Sequence, residues 1–191
     1  MQIAESSWHH ICLFGLQILT PMKQICTILM AVILLSVQSC KAQTINTTTV
    51  DNLDVERYMG RWYELARYDH RFERDMERCE AYYTLEPDGK IALRNSGIDT
   101  KTGLLRITDG KAKLGKLPGQ LRVSFFLFFY SDYNILALGE DYDWALVGSS
   151  SPKYLWILSR TPSLPKPTIE HILDIARERG YDTDKLIWVQ Q

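Results

Sequence analysis

The stretch that decides the fold is residues 60–74, GRWYELARYDHRFER, because its character changes halfway along. Residues 62–68 have the pattern of a half-buried strand that begins with a tryptophan. The residues that follow, 69–74, are charged except for one large aromatic side chain, Phe72. A charged segment directly after a strand predicts a solvated loop, in which Phe72 can cover an apolar interior.

The period-two pattern continues along most of the chain. It predicts strands at residues 62–68, 80–85, 91–98, 104–113, 120–126, 133–139, 144–149 and 154–159. Turn-forming residues separate these strands, as in Pro87-Asp88-Gly89 and Leu117-Pro118-Gly119. Eight short strands with no helix between them predict an all-β, antiparallel, up-and-down barrel. A closed barrel of this size has no free edge and is wide enough to enclose one small ligand.

One helix is predicted after the strands. Apolar residues recur at helical spacing from Ile169 to Ala176, charged residues occupy the other face, and Gly180 follows the last turn. This amphipathic pattern predicts a C-terminal helix packed on the outside of the barrel. Residues 186–189 have the composition of a short final strand.

Residues 1–42 are predicted to be a leader, followed by a tether at 43–52 and the barrel domain at 53–191. The segment from Met22 has one lysine, an apolar run at 25–37 and small residues up to Ala42, which is the layout of a secretory signal. The run is shorter than the ~20 residues of a membrane span. Met22 is therefore the expected start, and 1–21 an upstream misassignment. An N-terminal membrane anchor beginning at Ile11 is the alternative.

The tetrapeptide at 37–40, VQSC, resembles a bacterial lipobox and predicts that Cys40 is lipidated. Signal cleavage after Ala42 is the alternative, and both alternatives give an exported protein. Cys79 is then the only thiol in the barrel domain. An internal disulfide and a cysteine-based metal site are excluded on this basis.

Composition argues against several function classes. The chain has 22 basic and 23 acidic residues and no basic run, which argues against a nucleic-acid partner. Only His70 and His171 lie beyond the leader, and no nucleophile has a recognisable base. The sequence therefore predicts no metal site, no cofactor and no enzyme. A lipid-processing enzyme that uses Glu64 and His70 is kept as an alternative.

Three short motifs resemble those of the lipocalin family: GRWY at 60–63, EDY at 140–142 and LSR at 158–160. The longer stretches WYELARYDHRFER, VSFF, YLWILSRTP and IWVQQ are similar to the bacterial outer-membrane lipocalins related to apolipoprotein D. The likeness extends over about residues 51–191. It implies the same eight-stranded barrel.

The motif positions predict the closed end of the barrel. Trp62 opens the first strand and Arg160 follows the last, so the two meet at one end, where the guanidinium can stack on the indole next to Gly60. The family has this contact too, which makes it a structural floor. The opposite end is then the mouth, with Phe72, Arg74 and Phe128 in its loops.

The resemblance also predicts the pocket. It maps family pocket residues onto Tyr130, which could bind a polar head group, and Trp156, which could form an apolar wall. Alternation from Trp62 directs Glu64, Ala66 and Tyr68 inward, and Leu158 shares the parity of Trp156. The full set of expected ligand contacts is Tyr130, Trp156, Phe72, Phe128, Ala66, Tyr68, Leu158 and Arg74.

A lipid is the ligand that the resemblance implies. Relatives are associated with fatty acids or lysophospholipids and with membrane maintenance, which predicts lipid storage or transport at the bacterial cell envelope. An anchor on Cys40 would hold the protein in the outer membrane, whereas cleavage after Ala42 would release it into the periplasm or medium. Five aromatics at 125–130 predict an apolar rim, which a homodimer could use. A surface interaction protein with a filled barrel is the other alternative.

Overall fold

A computed structural model describes residues 44–191 of the chain. The predicted start at Met22, the signal segment and the lipidation site at Cys40 lie outside the described residues. No helix within 44–191 has the length and apolar character needed to span a bilayer.

Nine strands and two α-helices form the described part. A one-turn helix, α1 (Val55–Tyr58), precedes the first strand, and a longer helix, α2 (Lys166–Glu178), follows the eighth. A 3₁₀ turn, Thr183–Lys185, leads into the last strand. The strands are β1 Gly60–Tyr68, β2 Met76–Leu85, β3 Ile91–Asp99, β4 Leu105–Leu114, β5 Gln120–Phe126, β6 Phe129–Leu138, β7 Trp144–Gly148, β8 Leu155–Ser159 and β9 Leu186–Trp188.

The strands form a closed antiparallel barrel, which confirms the predicted fold class. Each strand from β2 to β8 pairs with the next, β8 pairs with β1, and β1 pairs with β2. The β1–β2 pairing involves only residues 60–63 of β1, because the later residues of β1 pair with β9 instead. The barrel is therefore sealed along the first half of β1, and β9 extends the sheet beyond its second half.

Two apolar clusters lie on opposite faces of the sheet. The inner cluster is centred on Trp62, Ile135 and Leu158. The outer cluster includes Leu65 and Ile157, and it is covered by Ile172 and Ala176 of α2. The helix thus packs outside the barrel, as its amphipathic pattern predicted.

A bulge in β1 reverses the expected orientation of its second half. Glu64 pairs with Leu158 but Ala66 pairs with Ile157, so β1 advances two residues while β8 advances one. As a result Leu65 and Ala66 both belong to the outer cluster, and simple alternation no longer holds after Glu64.

The predicted inward orientation of Ala66 and Tyr68 is therefore wrong. Ala66 lies beneath the helix with Ile157. Tyr68 packs edge-to-face on Tyr181, and its hydroxyl donates to the Asp182 carbonyl 2.9 Å away. Arg67 faces the barrel interior instead, in the orientation that simple alternation predicted for Ala66 and Tyr68.

The closed end is built around Arg160. Its guanidinium lies 3.7 Å from the centroid of the Trp62 ring. It also donates to the carbonyls of Arg61, Arg57 and Tyr58 at 2.6, 2.7 and 3.1 Å. Gly60 adopts a φ of 90°, which favours glycine, and a Cβ there would come within 3.5 Å of the Arg160 guanidinium. One side chain thus joins α1, β1 and the end of β8.

The segment before α1 is held against the barrel, although the sequence predicted only a polar tether there. The Arg179 guanidinium donates to the carbonyls of Thr48 and Leu136, each at 2.6 Å. The Val50 amide donates to the Ile135 carbonyl at 3.0 Å. These bonds fasten residues 46–50 to β6 and to the end of α2.

We predict that Arg160→Ala lowers the free energy of unfolding by about 2–4 kcal/mol, because it removes the cation-π contact and leaves several carbonyls without their donor. Urea unfolding followed by circular dichroism would measure the loss. Arg94→Ala is the matched control, since Arg94 forms an exposed pair with Asp109 on the barrel wall and should cost under about 1 kcal/mol. Equal losses in the two variants would contradict this account of the floor.

Candidate functional site

The mouth of the barrel is the end opposite Arg160. The connections at residues 69–75, 100–104, 127–128 and 149–154 gather there. Thr108 of β4 and Ser131 of β6 face inward by alternation from Ala112 and Tyr133, yet both are solvent-exposed. Exposed side chains on the inner wall mean that solvent reaches the interior from this end.

Trp156 and Leu158 of β8 line the interior. Leu158 is buried in the inner cluster, and Trp156 packs against that cluster nearer the mouth. On the opposite wall the Phe125 ring lies over the backbone of β4 at Gly110, where a Cβ would approach the ring to 2.7 Å. A side chain at that position would collide with the ring, so glycine there lets Phe125 pack directly on the strand.

A network of charged side chains lies between these walls. Arg67 donates from Nη1 to Glu64 Oε1 at 2.7 Å. From Nη2 it donates to the carbonyls of Glu73 and Met76 at 2.5 and 3.1 Å. Arg67 and Glu64 are both buried, so the network ties β1 to the first mouth loop from inside the barrel.

The pKa values of the two carboxyl groups in this network are shifted in opposite directions. Burial, reinforced by the charge of Glu73, raises the pKa of Glu64 well above its usual range, and the nearby Arg67 only partly offsets this. Burial alone would also raise the pKa of Glu73, but contacts with His70, Trp156 and Arg67 outweigh it and hold that pKa below the usual range. The arrangement raises the proton affinity of Glu64 and lowers that of Glu73.

An aromatic wall encloses the Glu73 carboxylate. Its Oε2 accepts a hydrogen bond from Trp156 Nε1 at 3.1 Å and lies 3.0 Å from His70 Nε2. The His70 ring packs edge-to-face on Trp156, and Tyr154 stacks on Trp156 with their ring centroids 5.8 Å apart. Phe72 contacts His70 from the exposed edge of the rim.

Three tyrosines separate this network from the floor. The hydroxyl of Tyr133 lies 2.7 Å from that of Tyr58 and 3.0 Å from that of Tyr83. Burial raises the pKa of all three, so they remain neutral hydrogen-bonding groups. Burial, together with the charges of Glu64 and Glu73, likewise raises the pKa of Cys79 to about 12, which keeps this thiol protonated near neutral pH.

The β5–β6 hairpin forms the most apolar part of the rim. Phe126 and Phe129 stack across its end, and the Phe128 side chain is 85% exposed. Leu127 has a φ of 48°, a left-handed conformation that is costly for a branched residue. This short turn replaces the longer loop predicted at 127–132.

The structure separates the predicted ligand contacts. Trp156 and Leu158 lie inside, Phe72 and Phe128 lie on the rim, and Ala66 and Tyr68 lie outside. The prediction of Tyr130 as a pocket residue is also wrong, because its ring lies 4.6 Å from Lys113 Nζ and it shares the outer face with Asp132, which pairs with Arg122. Arg74 is exposed and forms an ion pair with Asp69.

Arg67 and Glu73 were missed by the sequence analysis. Arg67 was missed because the residue types along β1 do not reveal the bulge. Glu73 was missed because it lies in a charged loop that was expected to be solvated. The one signal available was Glu64, whose predicted burial required a partner. The structure supplies Arg67 as that partner.

Two surface clefts accompany the barrel. One of about 700 Å³ lies outside the sheet between residues 48–51, the end of β6 and α2. The other, of about 370 Å³, lies at the rim and is lined by Arg67, Asp69, Arg74, Asp75, Met76, Thr100 and Ile187. Within residues 44–191, no three His, Cys, Asp or Glu side chains are grouped so that they could hold a metal ion.

Comparison with known proteins gives one consistent result. Residues 53–191 match the model of the lipocalin-like domain. The chain is 44% identical over 146 residues to outer membrane lipoprotein Blc of Escherichia coli K12, covering 75% of this chain and 82% of that protein. It is 37% identical to the Vibrio cholerae protein of the same name, covering 89% and 99%. Mouse apolipoprotein D is 35% identical, with 74% and 78% covered.

Solved structures show the same fold at low identity. Insecticyanin from the tobacco hornworm superimposes with a TM-score of 0.65 and 18% identity, covering 76% of this chain and 85% of that one. The cockroach allergen Per a 4 gives a TM-score of 0.63, also at 18% identity, covering 78% and 96%.

We predict that Glu64→Gln stabilises the protein at alkaline pH. The pKa of Glu64 is raised on folding. Its contribution to the free energy of unfolding is therefore fully present below the usual pKa of 4.5 and is lost as pH rises towards the raised value. The wild-type protein should lose about 1.4 kcal/mol relative to the variant for each pH unit in that window. Urea unfolding of both proteins between pH 5 and 9 measures the difference.

Glu64→Ala is the informative control, because it removes the partner of Arg67 as well as the carboxyl group. We expect it to be less stable than Glu64→Gln at every pH, since Arg67 Nη1 then lacks an acceptor. A Glu64→Gln protein that follows the wild-type pH dependence would contradict the raised pKa.

Proposed function

Because the chain belongs to the lipocalin-like family, we propose that it binds a single-chain lipid, a fatty acid or a lysophospholipid, inside the barrel and stores or transports it at the bacterial cell envelope. Lipocalins generally bind small hydrophobic ligands and are not generally enzymes. The observation that carries the proposal is the open mouth half of the barrel, where inward residues such as Thr108 are exposed opposite Trp156.

The energetics favour an acyl chain. Each CH₂ group moved from water to an apolar interior contributes about 0.8 kcal/mol, so a chain of a dozen carbons offsets the ordinary costs of association. Trp156, Leu158 and Phe125 supply apolar surface at the depth an acyl chain would occupy. The charged groups at the mouth are then available to a head group.

Envelope localisation is proposed from relatives and sequence together. The similar Escherichia coli and Vibrio cholerae proteins are named outer membrane lipoproteins. This chain carries the lipobox-like VQSC, so an anchor on Cys40 would hold the barrel at the same membrane. Residues 1–42 would then act as leader and signal, residues 43–52 as the connection, and 53–191 as the binding domain.

The aromatic hairpin supports contact with the membrane that supplies the lipid. Its tip exposes Leu127, Phe128 and Phe129 together. Lys111 Nζ lies 5.9 Å from the Phe128 ring centroid, and Lys113 lies next to it along β4. Apolar side chains beside lysines suit an anionic bilayer surface, where the rings enter the interface and the ammonium groups meet the phosphates.

We predict that Trp156→Glu abolishes lipid retention, because it replaces the apolar wall with a charge beside Glu73. Native mass spectrometry with organic extraction, on protein purified from its own host, should detect a fatty acid or lysophospholipid in the wild type. Palmitate affinity of the variant should fall about tenfold or more.

Trp188→Glu is the control for lipid retention, since Trp188 is an exposed tryptophan of β9 and its loss should leave the lipid in place. A wild-type protein that carries no lipid and also fails to bind added palmitate would contradict the proposed function. The aromatic rim would then be better explained as a protein-docking surface.

We predict that Phe128→Ser with Phe129→Ser reduces sedimentation with phosphatidylglycerol-containing vesicles about tenfold, because two exposed rings are lost from the interface. Leu117→Ser is the control, as Leu117 is similarly exposed at the closed end of the barrel. Unchanged vesicle binding, with a shift from dimer to monomer on gel filtration, would instead assign the rim to a homodimer.

A further inference from the structure

Three buried or half-buried groups converge on the Glu73 carboxylate. Trp156 Nε1 donates to Oε2 at 3.1 Å, and His70 Nε2 lies 3.0 Å from the same oxygen. Arg67 adds its positive charge from below and anchors the Glu73 backbone through the carbonyl. We call these three side chains, Trp156, His70 and Arg67, the cradle.

The cradle has more donor capacity than Glu73 uses. Arg67 is only 2% exposed, yet its Nε has no hydrogen-bond partner. His70 is 8% exposed, and neither of its ring nitrogens has a hydrogen-bond partner, although Nε2 lies 3.0 Å from Glu73 Oε2. Leaving a buried donor such as Arg67 Nε unpaired costs free energy, which is unexpected in a site whose only purpose is to hold the loop.

The carboxylate belongs to a loop and not to the barrel wall. Glu73 lies in the connection at 69–75, whose backbone makes two local bonds, from the Glu73 amide to His70 and from the Met76 amide to Glu73. Two carbonyls of this loop also accept bonds from Arg67 and Thr100, so the side chain of Glu73 is freer to move than its backbone. Arg67 and Trp156, in contrast, are fixed by the pairing of β1 with β8. Two of the cradle's donors would therefore stay in place if the Glu73 side chain moved out.

The cradle opens towards the accessible half of the interior. Thr108, Gly110 and Ser131 present little side-chain volume on the inner wall of β4 and β6. An acyl chain whose carboxylate lay against Trp156 would extend along this wall, with the Phe125 ring beside it.

We infer that the cradle is the head-group site for a single-chain carboxylic acid and that Glu73 is an internal occupant which the ligand carboxylate displaces. This inference rests on the proposed function and names the ligand class within it. The ligand carboxylate takes the bond from Trp156 and the place beside His70, while the Glu73 side chain rotates into solvent and its backbone carbonyl stays bonded to Arg67. The charge beside Arg67 is conserved in the exchange.

The same chemistry disfavours other amphiphiles. A fatty alcohol that displaced Glu73 would remove one of the two carboxyl groups near Arg67 and supply no charge in its place. The bulk of a phosphocholine head group exceeds that of the carboxylate it would replace, and its cation would lie next to Arg67. The cradle therefore selects the fatty acid over the lysophospholipid.

The test compares wild type and Glu73→Gln, using protein in the form that its host processes and titrations with palmitic acid, hexadecanol and lysophosphatidylcholine. The glutamine keeps the shape and an acceptor for Trp156 but lacks the competing charge. Palmitic acid should bind about tenfold more tightly to the variant, because hydrogen bonds to a charged group are worth that much more than those to a neutral amide. Hexadecanol and lysophosphatidylcholine should change less than about twofold.

Two further variants isolate the cause. Asp75→Asn makes the same charge change at the end of the same loop, where Asp75 pairs with Lys101 and adopts a φ of 62° that asparagine tolerates. It should leave all three affinities unchanged. Trp156→Phe in the Glu73→Gln protein should remove the gain for palmitic acid and spare hexadecanol, since only the indole donor is lost.

The outcomes separate the two proposals. If Glu73→Gln tightens palmitic acid and hexadecanol equally, or changes neither, the loop is at most a gate and the cradle is not a carboxylate site. The barrel would still be a lipid-binding protein in both cases. If none of the three amphiphiles binds to any variant, the proposed function fails together with this inference.

Discussion

The extra residue in β1 determines most of what is distinctive about the interior. By inserting Leu65 between two positions that pair with consecutive residues of β8, the bulge turns Arg67 into the barrel and Ala66 beneath the helix. Without it, the second half of β1 would present Ala66 and Tyr68 to the cavity, and a guanidinium would face α2. The polar network at the mouth exists because the bulge shifts the register of β1 against β8 by one residue.

A buried guanidinium imposes its own requirements. Arg67 needs acceptors nearby, and it receives the Glu64 carboxyl group from its own strand and the Glu73 backbone carbonyl from the loop. Two carboxylates so close together cannot both ionise at low cost, and the opposite shifts of their pKa values express this. A buried ionic network of this kind contributes little net stability compared with apolar packing, so its main effect is to fix the positions of charges at the mouth.

The two ends of the barrel use arginine differently. At the floor, Arg160 lies over Trp62 and donates to carbonyls from three parts of the chain, so its hydrogen-bonding capacity is largely used. At the mouth, Arg67 keeps an unpartnered Nε. Arg160, whose donors are bonded, closes its end of the barrel. Arg67 keeps one donor available for a further hydrogen bond. This difference, more than the overall shape, distinguishes the closed end from the candidate binding end.

The sequence by itself determined the architecture. Period-two patterning and turn residues gave eight strands and their order, and helical spacing gave α2, because both signals are local and repeat many times. The motifs around Trp62 and Arg160 predicted the floor for the same reason: each lies at a fixed strand end. Inward positions on the regular strand β8, Trp156 and Leu158, could also be read from alternation.

Only the tertiary structure decided the contents of the cavity. A one-residue bulge reverses the face of every later side chain but leaves the residue types unchanged, so Ala66, Tyr68 and Arg67 could not be assigned from the pattern. Register between β5 and β6 likewise put Tyr130 outside, next to Lys113. Glu73 entered the site from a charged loop because the buried Arg67 required acceptors from across the mouth and bonds the Glu73 backbone carbonyl. That requirement arises only when distant segments meet, since the free-energy cost of an unpaired charge is absent from the unfolded chain.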